Sequence, residues 1–238
     1  MQSLLILLIL ALAVFTQSLT GFGSALVAMA FLPALVGIRV AVPLVALVAL
    51  TLESILLFRY RQAVRLRAIL PLALGALGGI PMGILLLRSL EERVVLTVLG
   101  AVLAVYSGYA LLALRLPKMS HPFWPYGFGL LAGLLGGAYN IAGPPAVVYA
   151  TCAGWPPGEF KGNLQGFFIF SSLAVAASHA LSGNLSGEVW QVYPLALGAI
   201  LLGVPAGIAL ERRLDPALFR KGVLILLLGM GVKLMMFG

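Results

Sequence analysis

Residues 3–36 read SLLILLILALAVFTQSLTGFGSALVAMAFLPALV, without a single charged side chain. About 20 apolar residues suffice to carry a helix across a bilayer. This run is too long for one straight crossing, and a polar, glycine-containing break (Thr16, Gln17, Ser18, Thr20, Gly21, Gly23, Ser24) interrupts its middle. It predicts either a helical hairpin that dips in and returns or two short crossings, the latter favoured, with two short helices meeting at the break. No base precedes the run and no clean cleavage site follows it, so it is expected to be the first membrane segment rather than a removed signal peptide.

The rest of the chain repeats the theme. Apolar residues make up 62% of the 238, charged residues only 9%, and the mean hydropathy is +1.11. A soluble domain carries roughly a quarter charged residues, so these few could not cover a water-exposed surface. Strands of a membrane barrel alternate apolar and polar positions, whereas these runs are apolar on every face. Further apolar segments are expected at 41–58, 68–87, 94–114, 160–182, 189–210 and 217–237, and a second long, interrupted one at 123–153, broken at Tyr139-Asn140-Ile141-Ala142-Gly143-Pro144-Pro145.

The two halves match. Leu72-Ala73-Leu74-Gly75-Ala76 recurs as Leu195-Ala196-Leu197-Gly198-Ala199, Gly79-Ile80-Pro81-Met82-Gly83-Ile84 as Gly203-Val204-Pro205-Ala206-Gly207-Ile208, and Arg88-Ser89-Leu90-Glu91 as Arg212-Arg213-Leu214-Asp215. The breaks superpose, Thr20 to Gly23 on Asn140 to Gly143, and Arg39 falls opposite Lys161. The expectation is an internal duplication: residues 1–114, a cytoplasmic linker at 115–122, and residues 123–238.

Charge orients the halves. The 59–67 loop holds Arg59, Arg61, Arg65 and Arg67 and no acid, which places it in the cytoplasm. Its counterpart, 183–188, has no Lys or Arg and belongs outside. Equivalent loops on opposite faces mean inverted repeats, each crossing an odd number of times. With both termini outside, the cytoplasmic stretches also take Arg115, Lys118, Lys161, Arg212, Arg213, Arg220 and Lys221, leaving Arg39, Arg88, Arg93 and Lys233 outside. The predicted fold is an all-α polytopic membrane protein, two inverted repeats of about five helical segments each.

Interrupted helices in matching positions of an inverted repeat point to a binding site near the midplane, because exposed backbone groups are tolerated in a membrane only inside protein or against a wet cavity. Ser, Thr and Asn are helix N-cap residues and Pro suits the first turn, so both breaks read as helix starts. A helix start offers free N–H groups and a partial positive charge, and two of them suit an anion. Gln17, Thr20, Gly21, Gly23 and Ser24 at the first break, and Tyr139, Asn140, Gly143 and Pro144 at the second, are the candidate binding residues. The competing reading is that the glycines and prolines serve close helix packing. Arg39 and Lys161, where the next helix of each half begins, either attract the anion or reach to lipid headgroups. Asn163 and Gln165 follow Lys161 on one helix. Glu53, the one acid well inside a membrane segment, is the coupling candidate as a proton carrier, unless it pairs with Arg59 or Arg61. His179 and most Trp and Tyr residues fit interfacial positions.

Enzyme chemistry lacks its parts. His121 and His179 have no metal-pair spacing, Cys152 stands alone, and no phosphate-binding glycine loop ends in Lys-Ser/Thr. No cofactor or metal is expected, and the net charge of +8 reads as topology signal rather than nucleic-acid binding. A gradient-driven anion carrier is the leading reading. A passive channel, a membrane enzyme acting on a lipid phosphate and an assembly subunit are the alternatives.

Thr20-Gly21-Phe22-Gly23-Ser24-Ala25 resembles the Gly-Phe-Gly-Gly-Gly signature of the sulfite exporter TauE/SafE family. Phe58-Arg59-Tyr60-Arg61, followed by Leu72-Ala73-Leu74-Gly75-Ala76 and Pro81-Met82-Gly83, is similar to that family's arginine loop and its Gly/Pro-rich next helix. Arg39 looks like the family's basic residue at the start of the following helix. The chain departs at Ser24 and Ala25, where glycines are usual, and at Ala41-Val42-Pro43, where a Gly-Thr-Asn-like stretch is common. The resemblance implies a secondary carrier in the cell membrane for sulfur-containing anions such as sulfite or organosulfonates, usually an exporter and coupled to an ion gradient. Its partners would be that anion, the bilayer and a coupling ion such as a proton; a homo-oligomer is compatible.

Overall fold

A computed structural model describes residues 2–113, 117–119, 121–211, 213 and 215–237. Arg115, Arg212 and Leu214, used above as charge and repeat landmarks, lie outside the described residues, as does part of the 115–122 linker. Among the described residues the chain is all-helical. The helices are α1 (Gln2–Thr20), α2 (Ser24–Phe31), α3 (Pro33–Val36), α4 (Ile38–Tyr60), α5 (Leu66–Ser89), α6 (Glu92–Leu111), α7 (Trp124–Tyr139), α8 (Gly143–Cys152), α9 (Pro157–Leu181), α10 (Gly187–Leu210) and α11 (Pro216–Phe237), with a 3-10 turn at Arg61–Ala63. Both long apolar runs are interrupted where the sequence placed the break. Six helices, α1, α4, α5, α6, α9 and α10, are long and apolar enough to cross a membrane. α11 has the length, 22 residues, but carries Arg220, Lys221 and Lys233. This is a multi-pass membrane protein.

Its outward faces suit lipid rather than water. Leu4, Leu8 and Leu12 form an exposed stripe on α1, and Leu70, Leu74, Leu77, Leu85 and Leu201 are exposed in the same way on α5 and α10. The spacing of three to four residues along α1 and α5 is that of one helix face. Prolines sit inside α4 (Pro43), α5 (Pro71, Pro81) and α10 (Pro194, Pro205), where neighbouring helices and local adjustments satisfy the carbonyls they free.

The helices gather into two units. The first comprises residues 1–48, 89–114 and 185–238, and so contains α1, α2, α3, the first half of α4, α6, α10 and α11. Here α1 and α2–α3 form a hairpin whose open ends meet, because Gln2 Nε2 donates to the Leu35 carbonyl at 2.7 Å. The two arms are unequal. α1 has 19 residues and α2 only 8, about 12 Å at 1.5 Å per residue. Instead of two short helices meeting at the break, a helix of full crossing length meets a short one. α10 packs on α1 through Gly203 and Gly207: a Cβ there would sit 3.0 Å from the carbonyls of Ala11 and Phe15 respectively. α6 and α11 touch backbone to backbone, a Cβ on Gly100 falling 2.6 Å from the Gly231 oxygen and one on Gly231 falling 2.7 Å from that of Gly100.

The second unit comprises residues 49–88 and 115–184, with the end of α4, α5, α7, α8 and α9. Gly75, Gly79 and Gly83 make a four-residue stripe on α5 facing Gly129, Gly133 and Gly137 on α7. A Cβ on any of the six would collide with a carbonyl of the opposite helix, such as Tyr126, Leu130 and Leu134 opposite the α5 stripe. Membrane helices associate largely through van der Waals packing, and small residues let the backbones approach. The pairing of α5 with α7 corresponds to that of α10 with α1. Gly79 and Gly83 are the positions that Gly203 and Gly207 match in sequence, and each pair packs on a helix that opens one of the two long interrupted apolar runs.

Candidate functional site

At the first break the chain turns through two glycines with positive φ, Gly21 at 92° and Gly23 at 107°. A Cβ on Gly23 would meet only Thr16 Cγ2, at 3.6 Å. That is ordinary contact, so backbone conformation rather than helix packing demands the glycine. Thr20 closes α1: its hydroxyl lies 2.8 Å from the Thr16 carbonyl and 2.7 Å from that of Phe22, and with one proton it can donate to one at a time. The helix start that follows is not capped by a Ser or Thr side chain, as the sequence reading expected. Gly23 is the N-cap and Ser24 the first helical residue. Gln17, seven residues earlier, supplies the acceptor instead. Its Oε1 accepts from the Ser24 N–H at 3.3 Å and from the Ser24 hydroxyl. Its Nε2 is buried without a hydrogen-bond partner.

A narrow cleft opens beside this turn within the same unit. It is lined by Thr16, Thr20, Phe22, Gly23 and Leu26 from the hairpin, Tyr106 from α6, and Arg220, Val223, Leu224 and Leu227 from α11. About 20 Å³ is free, the room of a single water. The Arg220 guanidinium stacks over the Phe22 ring with its central carbon 4.9 Å from the centroid. Sequence reasoning took Arg220 for a topology signal and did not single out Tyr106. Nothing local marks either, since Arg220 reaches the break only through the packing of α11 on the hairpin, and Tyr106 only through the placement of α6 beside it.

At the second break Asn140 adopts the left-handed conformation, φ 57° and ψ 22°, and ends α7. Its N–H bonds the Gly136 carbonyl at 2.7 Å, and the Ile141 N–H bonds that of Leu135 at 3.1 Å. Asn140 was expected at a helix start; it is a C-terminal residue, a position that Asn tolerates for the same reason Gly does. Ala142 is the N-cap of α8, and Pro144 and Pro145 stand in its first turn. Both lack an N–H, so among the first donors of α8 only those before Pro144 and after Pro145 remain. Tyr139 and Asn140 are buried, at 4% and 7% exposure. Gly136 faces the Ser171 hydroxyl of α9, 3.6 Å from where its Cβ would be. Ser171 and Ser172 are buried polar residues that the sequence reading passed over as part of an apolar run.

The other candidates are distributed more widely. Arg39 is exposed on the first turn of α4 and does not line the first cleft. Lys161 is half-buried near the start of α9, with its ammonium 6.0 Å from the Tyr60 ring centroid. Asn163 and Gln165 are fully buried. Asn163 Oδ1 accepts from the Arg65 N–H at 2.7 Å, which ties α9 to the arginine loop, and Arg65 also pairs with Glu159 at 2.9 Å. Glu53 is buried at 5% exposure in α4. Arg61 lies over the Phe58 ring, 4.2 Å from its centroid. His179, expected at the interface, is fully buried. Its Nδ1 lies 2.9 Å from Asn184 Nδ2, beneath the 182–184 turn that Arg88 holds through the Ser182 carbonyl and Asn184 Oδ1.

A curated relative from Cupriavidus necator, "Probable sulfite/organosulfonate exporter TauE", is 26% identical over 227 residues, covering 92% of this chain and 88% of the relative. No solved structure matches. The description "Sulfite exporter TauE/SafE" matches residues 5–234, nearly the whole chain, and the chain therefore belongs to the sulfite exporter TauE/SafE family, a family of membrane transporters rather than enzymes.

Proposed function

We propose that this chain is a secondary active carrier that exports sulfite or organosulfonate anions across the cell membrane, with anion-binding groups at each of its interrupted helices. The observation that carries the reading is the pair of short helices, α2 with 8 residues and α8 with 10, neither capped by the side chain of its own N-cap residue. Helix starts of this kind favour anions. At the first, Gln17, Thr20, Gly21, Gly23 and Ser24 surround the start; at the second, Tyr139, Asn140, Gly143 and Pro144 do. Because prolines thin the N–H groups of α8, the Asn140 amide carries more of the burden there. Lys161, Asn163 and Gln165 on α9, and Arg39 on α4, would draw the anion toward the site, and Glu53 is the candidate proton carrier.

Inverted repeats with alternating access fit this scheme. The equivalent pairings of α1 with α10 and α7 with α5 support a duplication whose halves exchange helices, and the name of the Cupriavidus necator relative supports the substrate class. A passive anion channel is the main rival. Purified protein in liposomes loaded with unlabelled sulfite, then given labelled sulfite outside at equal concentration, separates the two. A carrier accelerates label entry through exchange when substrate is present on the far side; a channel does not. Absence of any flux of sulfite or of a panel of sulfonates would remove the proposal.

A further inference from the structure

Arg220 and Tyr106 line one cleft with the first break, and both keep a buried polar atom without a hydrogen-bond partner. For Arg220 it is Nε, for Tyr106 the hydroxyl. Tyr106 is only 5% exposed, and the Arg220 guanidinium lies beside its hydroxyl oxygen, which leaves the O–H proton with no acceptor. Gln17 Nε2 is also buried and unpartnered, but Gln17 is not among the residues that line this cleft. A buried donor left without a partner is costly, so the two donors in this cleft call for an acceptor. The nearby hydroxyl of Thr20 is already committed to carbonyls. A guanidinium N–H and a phenol O–H together are matched by an oxyanion.

We infer that Arg220, with Tyr106, forms an oxyanion-recognition subsite on the first break, taking the sulfite or sulfonate oxygens. This deepens the proposed function and rests on it. The stacking on Phe22 explains how a fixed cation can serve a carrier. A guanidinium over an aromatic ring is attracted to its face, so Arg220 has a resting partner when the anion leaves and is not stranded as a bare buried charge. Phe22 lies between Gly21 and Gly23, both at positive φ, so exchanging the ring for the anion acts directly on the break. The cleft follows α11 from Arg220 to Leu227, seven residues or about 10 Å. Arg220 stands in the second turn of α11 and Leu227 at its middle, which makes Arg220 the outer contact on the path inward. The charge pattern assigns that end to the cytoplasm, the side from which an exporter collects its substrate.

The test uses full-length protein in nanodiscs, with sulfite and a small alkylsulfonate as probes in calorimetric titration and counterflow in proteoliposomes. Tyr106→Phe removes one oxygen at constant shape and is expected to weaken binding roughly ten- to a hundredfold. Arg220→Gln is expected to abolish detectable binding, and Arg220→Lys, which keeps charge without the planar fork, to recover part of it. Wild-type protein that binds neither probe would overturn the proposed function itself. Wild-type protein that binds, alongside folded Tyr106→Phe and Arg220→Lys variants of unchanged affinity, would overturn this subsite while leaving that function standing. Where Arg220→Gln elutes aggregated in gel filtration, the Tyr106→Phe and Arg220→Lys pair decides alone.

Discussion

Gln17 holds the start of α2 through Ser24: one amide oxygen accepts the Ser24 backbone N–H at 3.3 Å and its hydroxyl as well. The contact closes the hairpin turn across seven residues and leaves the Gln17 NH2 group inside. Gln17→Met should destabilise the fold by about 1–3 kcal/mol, the cost of stranding buried donors. Gln17→Glu keeps an acceptor but puts a carboxylate beside the proposed anion. It is expected to elute as a folded protein and to lose at least tenfold in sulfite affinity. Folded Gln17→Glu with wild-type affinity would place the anion away from this turn.

The glycine stripes of α5 and α7 make a prediction about folding alone. Gly79→Ala puts a methyl group into the Leu130 carbonyl, and Gly133→Ala into that of Ala76. Overpacking a tight contact costs about 1–3 kcal/mol, and backbone atoms have less freedom to give way than side chains. Gly222→Ala and Gly229→Ala meet nothing within 4 Å and serve as matched controls. Detergent-solubilised protein carrying Gly79→Ala or Gly133→Ala should melt several degrees lower than the controls in a thermal-shift gel-filtration assay. Equal melting would mean that the two helices are free to separate at these positions.

The positions of the breaks were legible because glycines and polar side chains stand out in an apolar run. The roles inside the breaks were less so. Asn140 looked like a helix start because Asn favours N-caps, yet Asn also tolerates the left-handed conformation, and here the second property wins. Gln17 has no local signal for its reach to Ser24, since the geometry depends on the two glycines between them. Arg220 was hidden most completely. A base near the end of an apolar segment normally reads as a topology signal, and only the packing of α11 on the hairpin brings it to Phe22. The glycine stripes, by contrast, are visible as Gly75, Gly79 and Gly83, but which helix they face is a tertiary fact.

Topology can be tested without knowing the substrate. In a Cys152→Ser background, single cysteines at Gln62 and Leu185 are expected to label from opposite faces of sealed vesicles, since the first lies in the arginine loop and the second in a loop lacking Lys and Arg. Cys152 is buried, so gel filtration of the Cys152→Ser background, which places a hydroxyl at an apolar position, precedes the labelling. Labelling of both positions from one side would exclude inverted repeats.

The second break offers the cleanest separation of conformation from recognition. Asn140 sits at φ 57°, where an alanine would be strained, so Asn140→Ala mixes a backbone penalty with the loss of the amide. Asn140→Gly removes only the side chain, because glycine adopts that conformation freely. If the amide binds the anion, Asn140→Gly protein should keep its thermal stability within about 1 kcal/mol, given glycine's entropic cost. Its sulfite affinity should still fall roughly ten- to a hundredfold, the value of one hydrogen bond to a charged ligand. Asn140→Asp supplies the opposite control. It tolerates the same φ but adds negative charge, and it should bind no better than the glycine variant. Titration calorimetry on the three proteins reads the outcome directly. Wild-type affinity in Asn140→Gly would reduce Asn140 to a helix terminator, and the search for an anion contact near the second break would move to α9, where Ser171 lies against the same turn through Gly136.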